Sequence, residues 1–139
     1  MTSAAPTIDR VIETCLHVDD LDRSGAFYRD VLGLAQIAGD QRFRGFDVGG
    51  KSVLLLFRRG GTHETVRLPG GTIPPHGGQG ELHVAFAVDE LAVWDARLAR
   101  LGVAIEGRMT WPAGGQSLYF RDPDRHLLEL ATPGLWATY

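Results

Sequence analysis

The sequence predicts an α+β protein built from two βαβββ modules in tandem. Three pairs of similar segments recur in the same order along the chain. The pairs are ETCLHVDDL (13–21) with HVAFAVDEL (83–91), LGL (32–34) with LGV (101–103), and DVGGKSVLLL (47–56) with RDPDRHLLEL (121–130). Three matches in one order make an internal repeat, and each half repeats one supersecondary unit.

The first module is predicted to begin with a strand at 11–18. A helix follows, capped by Asp20 or Asp22, because an aspartate before an apolar periodic segment is a typical helix start. Its apolar side consists of Phe27, Tyr28, Val31 and Leu32. Gly33 follows the last helical residue, where a left-handed C-cap favours glycine. The remaining strands of this module are predicted at 35–38, 42–48 and 52–58.

The second module repeats this plan from a strand at 82–88. Its helix carries apolar residues at helical spacing, namely Leu91, Trp94, Leu98 and Leu101. Gly102 takes the C-cap position of Gly33. The remaining strands are predicted at 103–109, 116–121 and 126–131. Phe46 aligns with Phe120, so both are predicted to be equivalent core residues.

A segment rich in Gly and Pro separates the halves at 60–80 and has no apolar periodicity. It is predicted to be a loop or linker, and loops of that length are usually functional or flexible. The predicted organisation is a first module at 8–59, the linker at 60–80 and a second module at 81–133. Together they form one domain at 8–133.

Composition excludes several classes of function. The chain has 139 residues, 44% of them hydrophobic, and a formal net charge of −3 without a basic block, so no nucleic-acid surface is expected. No apolar run approaches the roughly 20 residues that span a bilayer, and no signal peptide is recognisable. Because Cys15 is the only cysteine, no internal disulfide can form, and the cytoplasm is the expected location.

Glu129 stands out within the apolar run at 127–131. Buried carboxylates are normally paired, hydrogen-bonded or bound to a metal. Under the repeat alignment Glu13 corresponds to His83, and Leu55 corresponds to Glu129. If a pseudo-twofold axis relates the halves, these four positions meet on it, and Glu13, His83 and Glu129 are predicted to hold a metal across a cavity. Two carboxylates and an imidazole suit a divalent ion with open positions for water or substrate.

The segments VDDLDRSGAFYRDVLGL (18–34), HVAFAVDEL (83–91) and YFRDPDRHLLEL (119–130) resemble the vicinal oxygen chelate superfamily. This superfamily includes glyoxalase I, extradiol dioxygenases, fosfomycin-resistance proteins and bleomycin-binding proteins. The resemblance implies paired modules that form a cupped mixed sheet around a metal-containing cavity, commonly in a homodimer. Arg125 departs from the pattern, because the family turn DPDG has glycine there.

The ligand positions implied by the resemblance match unevenly. His83 and Glu129 match the third and fourth family ligands. Glu13 stands where the family usually has His, and Leu55 stands where glyoxalase I often has Glu or Gln. The four-ligand glyoxalase set is therefore incomplete, and the dioxygenase set of two His and one carboxylate is altered.

Further candidates lie near these positions. His17 and Cys15 share strand parity with Glu13. His17 is a candidate for substrate orientation or proton transfer, or else a partly exposed strand histidine. Cys15 is predicted to be a small buried residue rather than a nucleophile. Tyr119 matches a family position whose hydroxyl reaches the metal-bound ligand, or else it is a buried aromatic residue. His76 in the linker has two interpretations. It is a solvated loop residue, or it lies over the cavity as a lid, an extra metal ligand or an acid/base group.

The leading hypothesis is a small glyoxalase-like enzyme with one divalent ion per chain: Zn, Ni, Mn or Fe(II). Its substrate would be a small molecule that chelates the ion through two neighbouring oxygens and reacts through an enediolate or other oxyanion. Glu13, Glu129, Tyr119 and His17 are the predicted catalytic residues. The alternatives are a metal-free small-molecule binding protein similar to the bleomycin-resistance members, and an Fe(II)-dependent ring-cleaving dioxygenase.

Overall fold

The computed structural model describes residues 4–139 and contains two four-stranded sheets, a two-stranded hairpin and two helices. The first module comprises β1 (Glu13–Val18), α1 (Leu21–Asp30), β2 (Gln36–Gly39), β3 (Phe43–Val48) and β4 (Ser52–Arg58). The hairpin comprises β5 (Val66–Leu68) and β6 (Gly71–Ile73). The second module comprises β7 (His83–Ala87), α2 (Leu91–Arg100), β8 (Gly107–Thr110), β9 (Gln116–Arg121) and β10 (Leu127–Ala131).

The two sheets have the same topology, which confirms the predicted fold class. Their strand orders are β1-β4-β3-β2 and β7-β10-β9-β8, and the first pair in each sheet is parallel. The register repeats as well: Glu13 lies opposite Val53, as His83 lies opposite Leu127. Two residues further along, Leu55 and Glu129 occupy equivalent places. No helix of residues 4–139 has the length and apolar character to cross a membrane.

The helix α1 begins as its sequence predicts and ends at Asp30, two residues before the predicted last helical residue. The side chain of Asp20 caps the helix by accepting hydrogen bonds from the backbone N–H groups of Asp22 and Arg23, each at 3.0 Å. After the helix, Gly33 has a φ of +71°, and the equivalent Gly102 has +72°. Only glycine adopts this left-handed backbone without strain.

One hydrophobic core joins the modules. It contains inward-facing side chains of both sheets together with Tyr28 of α1 and Leu98 of α2. Phe46 and Phe120 are both fully buried, as the repeat predicts. Because strand residues alternate between faces, the opposite faces of both sheets point away from this core. These outer faces carry the candidate site residues.

The turn before β10 ties the second module to α1. The carboxylate of Asp122 accepts a hydrogen bond from the Tyr28 hydroxyl at 2.6 Å, and that of Asp124 accepts one from the Ser24 hydroxyl at 2.5 Å. Arg125 has a φ of +69°, the only positive value among non-glycine residues of the described chain. The family turn has glycine at that place, and glycine adopts this conformation without strain, whereas other residues rarely do.

The predicted linker is not a plain loop. Two three-residue strands form the β5–β6 hairpin within it, with Val66 paired to Ile73. The hairpin lies against the outer face of the first sheet and covers part of a cavity there. It was missed because strands this short leave no recognisable alternation in a glycine-rich segment.

Candidate functional site

His83 and Glu129 contact each other on the outer face of the second sheet. His83 lies at the start of the edge strand β7, opposite Leu127 of the adjacent strand β10. Glu129 lies on β10, two residues beyond Leu127. The His83 Nε2 and Glu129 Oε1 atoms are 3.1 Å apart. Glu129 is 5% exposed, whereas the imidazole is half exposed. The carboxylate predicted to be buried within an apolar run is thus buried, and it faces the predicted imidazole.

The tautomer of His83 follows from its second hydrogen bond. Its Nδ1 lies 2.9 Å from the carbonyl oxygen of Leu127, which can only accept, so Nδ1 carries the proton. In the neutral form of the ring, Nε2 has a lone pair directed at Glu129 Oε1, and in the imidazolium form Nε2–H donates to that oxygen. Two acceptors at 3.1 Å require a proton or a cation between them. This donor set therefore fits a divalent metal ion.

The other oxygen of Glu129 is held by neighbouring side chains. The Ser117 hydroxyl donates to Glu129 Oε2 at 2.6 Å, and the Trp111 indole N–H donates to the Ser117 oxygen at 2.8 Å. These two bonds leave Oε1 as the oxygen that faces His83. The arrangement orients one carboxylate oxygen in the way that outer partners orient metal ligands.

Tyr119 lies beside the same pair. It is the cross-strand partner of Glu129 on β9, and its ring centroid is 6.2 Å from that of His83. Burial, followed by the negative charge of Glu129, raises the pKa of the Tyr119 phenol. The hydroxyl therefore stays protonated at neutral pH and can donate a hydrogen bond.

Glu13 lies on the outer face of the first sheet, away from this pair. It lines a cavity of about 590 Å³ together with Cys15, His17 and Leu55, and neither His83 nor Glu129 lines that cavity. Across residues 4–139, no three His, Cys, Asp or Glu side chains are grouped closely enough to hold one metal ion. The repeat predicted that all four positions meet, and within one chain they do not.

Cys15 corrects a smaller prediction. Its side chain is exposed toward the cavity rather than buried, because β1 turns this face away from the core. Partial desolvation, and then the charge of Glu13, raises the pKa of the Cys15 thiol. The thiol is therefore held in its protonated form, which is a poor nucleophile.

His17 lines the same cavity and is 5% exposed. Its Nε2 lies 3.4 Å from the Thr62 hydroxyl oxygen, and its ring packs edge-on to that of His76 with centroids 5.3 Å apart. Thr62 donates its own proton to the His76 carbonyl oxygen at 2.6 Å. The weak contact with His17 therefore has Thr62 as the acceptor.

The environment of His17 predicts a loss of stability in acid. Burial is the main reason that its pKa is lowered from 6.5, and positive or protonatable neighbours lower it further. These neighbours are His76 and His63 of the linker, Arg59 after β4, and His126 before β10.

As the pH falls below 6.5, the unfolded chain takes up a proton at this position and the folded chain does not. The free energy of unfolding should therefore fall with pH in this window. Urea unfolding of the wild type and of His17→Gln at pH 7.5, 6.5 and 5.5 tests this. The wild type should lose more stability than the variant, and equal losses would contradict it.

Sequence reasoning missed two residues that support the candidate site. Ser117 shares strand parity with Tyr119, so its face could have been read from alternation. His126 carried no such signal. Its Nε2–H donates to the His17 carbonyl oxygen at 2.8 Å, and its Nδ1 accepts from the Leu82 N–H at 2.9 Å. It thereby links β1 to the beginning of β7.

Comparisons with known proteins agree with this architecture. Residues 7–130 match the family description "Glyoxalase/Bleomycin resistance protein/Dioxygenase superfamily". A metallothiol transferase FosB of Shouchella clausii is 30% identical over 119 residues, which cover 83% of this chain and 74% of that protein. A FosB of Lysinibacillus sphaericus is 27% identical and covers 91% of this chain and 84% of its own length.

A solved structure is also similar. The lactoylglutathione lyase of Agrobacterium tumefaciens superposes with a TM-score of 0.85 at 34% identity, covering 95% of this chain and 99% of that one. These relatives are named as enzymes, a lyase and two metallothiol transferases. They confirm the resemblance seen in the sequence, and they support an enzyme and a divalent metal at the level of the family. The chain belongs to the Glyoxalase/Bleomycin resistance protein/Dioxygenase superfamily.

Proposed function

We propose that this protein is a glyoxalase-like metalloenzyme that acts on a small oxygen-chelating molecule. His83 and Glu129 of one chain would hold the divalent ion together with Glu13 of a second copy. The observation that carries the proposal is the approach of His83 Nε2 to Glu129 Oε1 at 3.1 Å, while the other atom of each group is already hydrogen-bonded. When His83 is neutral, two lone pairs are directed at one point, and this arrangement favours a cation there.

The second copy is proposed because the two outer faces point away from the core that they share. β1 and β7 are both edge strands within the described chain. Open strand edges are usually paired or covered. Exposed apolar residues precede β1, with Val11 at 71% and Ile12 at 62% exposure. A homodimer that joins β1 of one copy to β7 of its partner would bring Glu13 to the His83–Glu129 pair.

The residues around the site suggest how a reaction would proceed. A bound divalent ion would supply Lewis-acid stabilisation of an enediolate or other oxyanion. Glu13 is exposed and could accept a proton from the substrate, and Glu129 is the second carboxylate available. The protonated Tyr119 hydroxyl could donate to a substrate oxygen. His17 is buried behind Thr62, so we assign it to the wall of the cavity rather than to proton transfer.

Two alternatives remain as secondary proposals. A binding protein without a metal is favoured by Leu55, which places an alkyl group where a fourth ligand would stand, beside a cavity whose lining surface is mostly apolar. A ring-cleaving Fe(II) dioxygenase has less support, because its usual two imidazoles would require a second His near His83.

The free Cys15 thiol agrees with the proposed cytoplasmic location.

Mixing two inactive variants tests the shared site. Glu13→Ala should weaken metal binding and His83→Ala should remove it, because each variant breaks every site of its own homodimer. Random exchange of subunits makes half of the dimers mixed, and each mixed dimer has one intact site of two. About one quarter of the wild-type metal binding and activity should therefore return on mixing.

The measurements are metal content by mass spectrometry and molecular mass by sedimentation, on protein purified without an affinity tag. Mixing Glu13→Ala with itself is the matched control and should restore nothing. A mixture that binds no more metal than the mean of its two parents would contradict the shared site. Full occupancy in His83→Ala would place the metal elsewhere.

A further inference from the structure

We propose that the cavity on the outer face of the first sheet binds a molecule with an apolar, ring-containing body and one acidic group. This inference deepens the proposed function, because it names the class of compound that the enzyme would accept. Binding at this cavity can nevertheless be measured without metal, so the two proposals can fail separately.

The size of the cavity sets the size of the ligand. Its volume of about 590 Å³ lies within the range of roughly 300–1,000 Å³ that is typical of sites for drug-sized ligands. A molecule of only a few heavy atoms would leave most of this space to water. The cavity therefore fits a larger compound than the smallest molecules that could chelate a metal through two oxygens.

The walls of the cavity favour an apolar body with a ring. Phe43, Leu55 and Phe57 form the floor on the sheet, and Val66 and Ile73 face them from the hairpin. The rings of Phe43 and Phe57 lie 5.9 Å apart with an interplanar angle of 36°. Adjacent aromatic surfaces of this kind offer stacking and edge contacts to a third ring.

The hairpin is fixed over this floor by contacts at its base. Thr62 and His76 bind each other twice: the His76 N–H donates to the Thr62 carbonyl oxygen at 2.9 Å, and the Thr62 hydroxyl donates to the His76 carbonyl oxygen at 2.6 Å. The His76 ring stands edge-on to Phe57, with centroids 4.7 Å apart. Gly78 packs so closely on His17 that an added Cβ would lie 2.8 Å from its Nδ1. The wall is therefore built before a ligand arrives, which lowers the cost of binding.

The acidic group is inferred from Arg42. Its guanidinium lies 5.9 Å from the centre of the Phe57 ring, and within residues 4–139 no carboxylate pairs with it. Two carboxylates also line the cavity. Glu13 is the proposed metal ligand, and Glu64 is exposed to water, which screens its charge. The half-buried Arg42 is therefore the charge that a ligand inside the cavity would meet most directly.

The test uses two fluorescent probes that share one ring system. 1-Anilinonaphthalene-8-sulfonate carries an acidic group, and N-phenyl-1-naphthylamine is neutral. Both are titrated into the full-length protein in the presence of EDTA. Ile73→Trp fills the cavity and should lower the affinity for both probes by at least about tenfold, a change that titration resolves readily. Leu68→Trp is the matched control on the same hairpin, because Leu68 is exposed and does not line the cavity, and it should leave both affinities unchanged.

The charge is tested by Arg42→Gln. This variant should lower the affinity for the sulfonate probe by roughly five- to tenfold. Its affinity for the neutral probe should stay within about twofold of the wild type. Equal weakening of both probes by Arg42→Gln, or equal effects of Ile73→Trp and Leu68→Trp, would overturn the proposal. Circular dichroism checks that each variant is folded. If probe binding behaves as expected while the mixing experiment fails, the cavity proposal stands and the metal proposal does not.

Discussion

Asp122→Ala is expected to lower the free energy of unfolding by about 3–5 kcal/mol, out of roughly 5–15 kcal/mol for a whole domain, because three donors lose their acceptor at roughly 1–3 kcal/mol each. Asp122 is 4% exposed. One carboxylate oxygen accepts from the Tyr28 hydroxyl at 2.6 Å, and the other accepts from the backbone N–H groups of Asp124 and His126, each at 2.9 Å. Alanine leaves these donors in and around the core without a partner, and unpaired buried polar groups are costly.

Urea unfolding at pH 7.5 measures this loss, and Tyr28→Phe is its control. The phenylalanine variant removes one donor but keeps the carboxylate and both backbone hydrogen bonds, so it should lose less than half as much stability. Burial, and then the charge of Asp122, raises the pKa of Tyr28 well above its usual value, so the hydroxyl remains a donor at this pH. A loss below about 1 kcal/mol in Asp122→Ala would show that water replaces the carboxylate.

The architecture could be predicted because each module carries its own local signals. The cap at Asp20 was readable from the local sequence, and the left-handed Gly33 and Gly102 and the buried pair Phe46 and Phe120 were readable from the repeat. Each of these positions is decided by neighbours close in sequence or by burial. The hairpin in the linker had no comparable signal, because only Val66 and Ile73 pair as apolar residues within it.

The contact between His83 and Glu129 was predictable for a similar reason. A parallel register between β7 and β10 brings the two positions together whatever the rest of the chain does. The distance from Glu13 to this pair depends instead on how the modules pack. A repeat identifies equivalent positions, but it does not reveal whether equivalent faces meet within one chain or between two copies. Burial of the alternate strand residues turns both candidate faces outward, so they do not meet within one chain.

Leu55→Glu is expected to raise the affinity for a divalent metal by at least about tenfold. Groups that only hydrogen-bond to metal ligands already change metal affinity by roughly 10–100-fold, and a direct ligand should do at least as much. Leu55 is the repeat equivalent of Glu129 and lies opposite Cys15 in the parallel register of β1 and β4. It is half-buried and lines the cavity with Glu13. In the proposed dimer, a carboxylate there would reach the same ion as Glu13.

Thermal melting with and without added Zn²⁺ or Mn²⁺ tests this placement, and calorimetric titration measures the affinity. Without metal, Leu55→Glu should melt a few degrees below the wild type, because the new carboxylate lies beside Phe57 but can still reach water. Metal should restore the lost stability, since it binds only the folded form.

Leu54→Glu is the matched control on the opposite face of β4. Leu54 is 2% exposed, so its carboxylate would enter the core and unfold the protein regardless of metal. If Leu55→Glu behaved like Leu54→Glu, this position would belong to the core, and the arrangement of Glu13, His83 and Glu129 around one ion would lose its structural basis.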